Sequence, residues 1–282
     1  MPELPEVESV GRALSANLTG RRLTGLKVGF AGVLDQSPAA VRRALLGKPL
    51  AGVHRHGKYL ILNFDPAPAA TAPSAKARPA HLMLHLRMTG QVFILDGYVP
   101  DKHVHLTFDF DGLPVHYRDI RKFGRFTLVE DAHRPACLDH VGPDMLEVRP
   151  GDWLARIAHR TAPIKALLLD QGIAAGLGNI YVDECLFTAG VHPLTRPCDL
   201  GEADLRRVLR EARRVLRLSI DHGGTTFLNF TDFYGKPGNF RRKLRVYGRS
   251  GQPCKKCGAT LELLRVAGRS SVFCPQCQPP VG

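Results

Sequence analysis

Apolar residues recur at Val7, Val10, Leu14 and Leu18 of PELPEVESVGRALSANLTG, the spacing that turns one face of a helix towards a core. Pro5 suits a first helical turn, where a missing N–H costs nothing; acids crowd that turn, and Gly20 supplies the stop. From about Leu23 to Glu130 the period shortens. KYLILNF, HLMLHLRM, GQVFILDG, HVHLTFDF and RFTLVE alternate or run apolar over a strand's length between Gly, Pro and Asp, predicting an antiparallel sandwich or barrel. DPAPAATAPSAKARPA at 65–80 is low in complexity and reads as a floppy surface loop between two strands.

From about 150 the spacing becomes helical again. GDWLARIAHRT, PIKALLLDQ, IYVDECLFTAG and EADLRRVLREARRVLRLSIDHGG are helix candidates, the last with an apolar stripe opposite a basic face. GIAAGLGN joins the second and third. TTFLNFTDFYGKPGNFRRK, rich in aromatics, Gly and basic residues, reads as a long loop, and a cysteine-bearing hairpin closes the chain at 246–278. There is no internal repeat, and the whole is an α+β, multidomain chain.

Charge narrows the field. Among 282 residues, 39 Lys and Arg stand against 26 Asp and Glu, a formal net charge of +13 that favours a polyanionic partner: a nucleic acid, a ribosome or an anionic membrane surface. No apolar run approaches the ~18 residues of a membrane span, and the acidic start is unlike a secretory leader. A cytoplasmic protein is expected, so the sequons at Asn17 and Asn229 carry no meaning and seven cysteines do not suggest a disulfide framework.

Four of those cysteines have another use. Cys254 and Cys257, then Cys274 and Cys277, form two C-x2-C pairs sixteen residues apart, the spacing of a tetrahedral zinc site. Four thiolates close the coordination shell, so the metal is an element of the fold and leaves no position for chemistry. Cys137, Cys185 and Cys198 lack such partners and read as small core or surface residues. Between the pairs, LELLRVAGRSSVF reads as two strands around a turn that carries Arg269, a braced arginine suited to a phosphate.

Five stretches in order, PELPEVE at the N-terminus, HGKYL at 56–60, DIRKFG at 119–124, GLGNIYVDE at 176–184 and GRSSVFCPQCQ at 268–278, resemble the formamidopyrimidine-DNA glycosylase family of base-excision repair enzymes. The resemblance spans nearly the whole chain. It implies an N-terminal β-sandwich flanked by helices over 1–131, a helix-two-turn-helix region over 132–243 with a lesion-capping loop at about 223–243, and a zinc finger over 244–282.

It also gives the first residues a chemical role. With Met1 removed, Pro2 is a secondary amine; a free α-amino group titrates near ~7.7–8.0, and the positive end of the following helix favours its neutral form. Attack on C1′ of a damaged nucleotide then yields an iminium, and glycosylase and lyase activities follow from one intermediate. Glu3 is implied as the proton donor and Glu6 as a second carboxylate, although acids in a first turn also serve simply to match the helix dipole. Lys58 is implied to bridge phosphate and sugar and Arg269 to hold the lesion phosphate. Met88, Arg121 and Phe123 match the family's void-filling set, which replaces an everted base. His103, Lys165, Asn179 and Tyr181 are expected to grip phosphates, with Arg160 as a further basic contact.

The length of the 223–243 loop and the PELPEVE start point to oxidised purines, 8-oxoguanine and formamidopyrimidines, in duplex DNA. Two alternatives stand beside this: an endonuclease VIII-like pyrimidine glycosylase, and a non-catalytic zinc protein that senses damaged DNA. Abasic sites are a further expected substrate, and nothing calls for an oligomer, so a monomer is expected.

Overall fold

Glu3 stands extended before helix α1 (Leu4–Leu18), and the two are locked by a capping box: the Glu3 side chain accepts from the Glu6 amide while Glu6 Oε2 accepts from Glu3 N–H at 2.8 Å. The computed structural model describes residues 2–65, 80–95, 97–133, 135–226, 233–235 and 238–280. The low-complexity stretch at 66–79 and the aromatic run at 227–232 thus lie outside the described residues. The chain divides into two units, 1–139 with 223–238 and 140–222 with 239–282. This grouping differs from the three consecutive segments read from sequence, because most of the loop after the last long helix packs with the first unit.

The first unit is a sandwich of two four-stranded antiparallel sheets. One sheet runs in the order β1 (Leu23–Val28), β6 (Val104–Phe110), β7 (Leu113–Asp119), β5 (Gly90–Phe93); the other runs β2 (Leu50–His56), β3 (Tyr59–Phe64), β4 (Ala80–His85), β8 (Arg125–Val129). Alternation sends Leu60, Leu62, Phe64, Leu82 and Leu84 of the second sheet, and Leu106, Phe108, Phe110, Val115 and Tyr117 of the first, into one core. Phe64 stacks on Phe110 with ring centroids 6.3 Å apart, and Tyr117 meets Phe126 edge-on at 4.8 Å. Val7, Val10, Leu14 and Leu18 of α1 join this core, and Gly11 rests on Leu60, where a Cβ would come within 2.7 Å of a methyl.

Four elements of this unit have no counterpart in the sequence reading. Helix α2 (Pro38–Leu45) interrupts the stretch read as strands: Ser37 Oγ accepts from Ala40 N–H, Pro38 opens the first turn, and Val41 and Leu45 face inward. Its eight residues lie among stretches of strand pattern, and only Ser37 and Pro38 mark its start. Strands β1, β2 and β7 escaped because Gly25 interrupts β1, β2 mixes polar with apolar residues and is half-buried, and β7 carries Pro114 near its start.

The second unit is built round α5 (Asn179–Ala189), buried on nearly every side; α3 (Pro150–Ile157), α4 (Ile164–Leu169) and α6 (Glu202–Asp221) are its helical companions. An all-round apolar helix is what a central position requires. Strands β9 (Glu262–Val266) and β10 (Arg269–Phe273) form the hairpin expected between the cysteine pairs, and Val272, Leu261, Cys254 and Cys274 pack with Phe187 and Val246. Cys185 is buried, whereas Cys137 and Cys198 are exposed. Among the described residues no helix is long and apolar enough to cross a membrane.

Candidate active site and nucleic-acid interface

Pro2, Glu3 and Glu6 are all buried at the head of α1, the two carboxylates being 2 % and 1 % exposed. Glu6 has a second tie: its Oε1 accepts the Thr225 N–H at 2.7 Å. The chain passes this carboxylate closely enough that a Cβ on Gly224, itself at φ +82, would lie 2.9 Å from Oε1. One side chain therefore fixes the backbone at Glu3 and the start of the segment 223–238. Lys58, 7 % exposed, follows Gly57, whose φ of +56 makes the tight turn from β2 to β3. Its ammonium, the Arg87 guanidinium and above all burial push the His85 imidazole down to about 3, so His85 is a neutral base that accepts the Arg87 N–H at 3.0 Å.

Met88, Arg121 and Phe123 come together on the surface of the same unit. The Arg121 guanidinium donates to Met88 Sδ at 3.0 Å and lies over the Phe123 ring at 4.4 Å. Met88 and Phe123 are 44 % and 45 % exposed, and large apolar groups held out together in water mark a binding surface. Asp119, fully buried, organises them. It accepts from the Tyr117 hydroxyl at 2.9 Å, from the amides of Arg121, Phe123 and Gly124 at 3.1, 2.9 and 2.9 Å, and from Thr89 Oγ1. Burial opposes ionisation of Asp119, but these donors outweigh it and hold the carboxyl below its usual range. His103 lies in the loop before β6; its carbonyl accepts the Asp119 N–H at 2.9 Å, and its own amide donates to Asp101 at 2.9 Å.

In the second unit the side chains of two expected phosphate contacts are engaged inside the protein. Lys165 is 0 % exposed: its Nζ donates to Asp183 Oδ1 and to the Ser270 carbonyl, each at 2.7 Å. Tyr181 is equally buried, with its hydroxyl 2.7 Å from Ser219 Oγ. Tyr181 projects inward because α5 is covered on nearly every side, and Lys165, on α4, is drawn inward to Asp183 of α5. Asn179 is half-buried and donates to the same Ser270 carbonyl at 3.0 Å. Lys165 and Asn179 thus converge on the residue after Arg269, which is exposed at the start of β10. Arg160 is exposed and donates to the Arg156 carbonyl at 3.2 Å.

Asp119, Asp183 and Glu184 escaped notice as site builders. Asp183 accepts from Ser271 Oγ and Val272 N–H, each at 3.0 Å, besides Lys165. Glu184 accepts the amides of Arg245, Val246 and Tyr247 at 2.8 to 3.0 Å, tying the strand of chain that leads to the zinc module onto α5. The available signal was two adjacent acids in a helix with no polar face, since buried carboxylates must find donors.

The sulfurs of Cys254, Cys257, Cys274 and Cys277 lie within 4.8 Å of one another, with Cys254 and Cys277 at 4.0 Å and Cys257 and Cys274 at 3.4 Å. A tetrahedron of Zn–S bonds of ~2.3 Å sets sulfurs about 3.8 Å apart. The amides of Lys256 and Cys277 point at the Cys254 and Cys274 sulfurs at 3.4 Å, as thiolates need. The donor set fits one structural zinc ion.

Residues 1–126 match the formamidopyrimidine-DNA glycosylase N-terminal domain, 142–231 the formamidopyrimidine-DNA glycosylase H2TH domain, and 251–280 a zinc finger found in FPG and IleRS. A formamidopyrimidine-DNA glycosylase of Herpetosiphon aurantiacus is 37 % identical over 99 % of this chain and all of its own. Among solved structures, the Lactococcus lactis Fpg with DNA containing an abasic site is similar with a TM-score of 0.85 at 30 % identity, covering 99 % of this chain and all of that one. The wild-type lactococcal Fpg with N7-benzyl-Fapy-dG DNA gives 0.85 at 31 % identity and the same coverage. With three domain matches in order and full-length relatives, the chain belongs to the formamidopyrimidine-DNA glycosylase family.

Proposed function

We propose that this protein is a base-excision repair enzyme that everts oxidised purines from duplex DNA, removes the base and cleaves the strand, with Pro2 as nucleophile. The observation that carries the reading is the fixed head of α1. A secondary amine, once Met1 is gone, is followed by a buried Glu3 whose backbone is clamped by Glu6. Relatives of the same family have been solved with abasic-site and Fapy-dG DNA, in accord with such a substrate.

The chemistry balances without a cofactor. The Pro2 nitrogen attacks C1′, the C1′–N bond breaks, and the departing base takes a proton. Glu3 protonates O4′ as the sugar ring opens, leaving an iminium between Pro2 and C1′. That cation acidifies C2′, so loss of the C2′ proton expels the 3′-phosphate, and a second elimination expels the 5′-phosphate. Lys58 bridges sugar and phosphate, and Arg269 holds the lesion phosphate. Met88 and Phe123 fill the vacated stack while Arg121 pairs with the orphaned base. Glu6 acts through position, since both its oxygens are engaged by amides at the nucleophile and at Thr225. Lys165 and Tyr181 support the fold behind the DNA contacts, which leaves His103, Asn179 and Arg160 as candidate phosphate ligands. Zinc braces the Arg269 hairpin and takes no part in bond making. A reducing, cytoplasmic location suits thiolates that bind metal.

Borohydride added during reaction with 8-oxoguanine duplex is expected to trap a covalent complex whose modified peptide begins at Pro2; recovery of the crosslink solely on a lysine sinks the mechanism. Excision of 8-oxoguanine faster than thymine glycol from matched duplexes is expected, and the reverse order selects the pyrimidine reading. A protein that binds lesions without cleaving them would be the zinc sensor instead.

A further inference from the structure

Helix α6 carries six arginines and four acids between Glu202 and Asp221, and they are not evenly mixed. Its apolar stripe, with Leu205, Val208, Ala212 and Leu216, is buried. Arg206, Arg210, Arg213 and Arg217 fall on a neighbouring stripe and line a cleft of about 230 Å³ with Leu209 and with Pro150, the first residue of α3. Like charges one turn apart on a helix repel, so such a stripe costs stability unless an anion relieves it.

The acids available relieve it only in part: Asp144 opposes the crowding at Arg213, and Glu202 and Glu211 serve Arg206 and Arg210. Asp204 pairs with Arg207 and Glu211 with Arg214, each at 2.7 Å and both away from the cleft. Arg206 has Glu202 at 2.6 Å, at the helix's N-terminal end, and Arg210 reaches Glu211 only at 3.5 Å. Arg213 is spent on the fold, donating to the carbonyls of Met145, at 3.1 Å, and Val148. Burial, together with the nearby Arg217 charge, lowers its pKa, a sign that positive charge is crowded here. Arg217 makes no ion pair within 4.0 Å among the described residues.

The cleft has two chemistries. Its lining sets guanidiniums beside Leu209, Pro150 and the methylene stems that arginines carry. A phosphate backbone would use the first and ignore the second. The volume is below the ~300–1,000 Å³ of sites that enclose whole small molecules, and suits a single side chain. All four basic groups are arginine, whose planar fork takes a carboxylate by two parallel bonds.

We propose that the cleft between α6 and the start of α3 docks an acidic peptide segment bearing one apolar side chain. Carboxylates of that segment meet Arg210 and Arg217, and the apolar side chain sits over Leu209 and Pro150. The partner is a protein with an acidic, extended tail, and the contact recruits the enzyme without entering its chemistry.

The test uses the full-length, zinc-loaded enzyme and a fluorescein-labelled peptide of four aspartates ending in phenylalanine, with serine replacing phenylalanine as control. By fluorescence anisotropy the enzyme is expected to bind the phenylalanine peptide at least tenfold more tightly than the control. R210E/R217E is expected to lose at least tenfold in that affinity while cleavage of lesion duplex stays unchanged. Should that variant melt early, R210Q/R217Q provides the same comparison. Equal binding of the two peptides, or full affinity in the variants, overturns the proposal. A variant that keeps the peptide but loses undamaged duplex also overturns it, and makes the face a nucleic-acid contact.

Discussion

Asp119 shows how one buried carboxylate can set a recognition surface. Its donors come from a strand residue, a threonine and three consecutive-turn amides, and Gly124 is required beside it because a Cβ would fall 1.8 Å from the Tyr117 hydroxyl. Asn at this position would turn an NH2 against N–H and O–H donors. D119N is therefore expected to cost ~1–3 kcal/mol or more in denaturant unfolding and to slow excision by misplacing Arg121 and Phe123; wild-type values for both would show that the turn holds itself. DIRKFG was legible as a motif, and its arginine and phenylalanine do stand together on the surface. The aspartate's role was not, since its partners at Thr89 and Tyr117 become neighbours only when β5 and β7 pair. His85 supplies a pH dependence of known sign. Its folded pKa of about 3 lies below the ~6.5 of an unfolded histidine, so the unfolded chain binds the proton first. Stability from this residue is full above ~6.5 and is lost as pH falls towards 3. H85N, which keeps an acceptor near the Arg87 amide, is expected to flatten the decline in unfolding free energy between pH 6.5 and 4; parallel curves for the two proteins would refute the assignment.

Helices α4 and α5 converge on one strand. Lys165, Asp183 and Asn179 all close on Ser270 and Ser271 of β10, next to Arg269. Removing one member of a fully buried ion pair strands the other, at a cost of ~3–5 kcal/mol. K165M is expected to lower stability by that order and also to reduce strand cleavage. R269A, an exposed change, is expected to reduce cleavage with no loss of stability, and the pair of results separates positioning from contact. If K165M unfolds like wild type yet binds DNA weakly, Lys165 touches phosphate after all. At this scale the sequence was most readable where patterns are long: α1 and α6 show full helical periods, and β3, β4 and β6 show apolar runs or alternation over a strand's length. It was least readable for α2, a short helix announced only by Ser37 and Pro38, and for β2, whose mixed residues look like loop. That Tyr181 is interior could not be read, because α5 has no polar face to orient it, and Lys165 of α4 meets its partner Asp183 only once α4 and α5 pack.

Over the whole molecule, the chain leaves the first unit near residue 139, returns for 223–238 and leaves again. The returning segment is held locally: Ile94 N–H donates to the Phe233 carbonyl at 2.9 Å, Asn17 to the Tyr234 hydroxyl at 2.7 Å, and Thr225 to Glu6. No local pattern announces such an excursion, which explains why the loop reads as part of the helical segment. The zinc module poses the complementary question of how far its fold depends on the metal. Its own apolar cluster is small, with Val246, Cys254, Leu261, Val272 and Cys274 set against Phe187, and a core of that size does not hold a hairpin without a staple. The single tryptophan, Trp153, reports on the helices: it is 0 % exposed on α3 and is not part of the zinc-module cluster. A strong chelator is expected to melt the hairpin and cut affinity for lesion duplex at least tenfold, with recovery on adding zinc back. Trp153 emission is expected to stay blue-shifted throughout, because Asp183 and Glu184 lose partners but the α5–α6 packing remains. A red shift in step with metal loss would mean that helices and hairpin fold as one cooperative body, with zinc stabilising the entire second unit rather than the platform that carries Arg269.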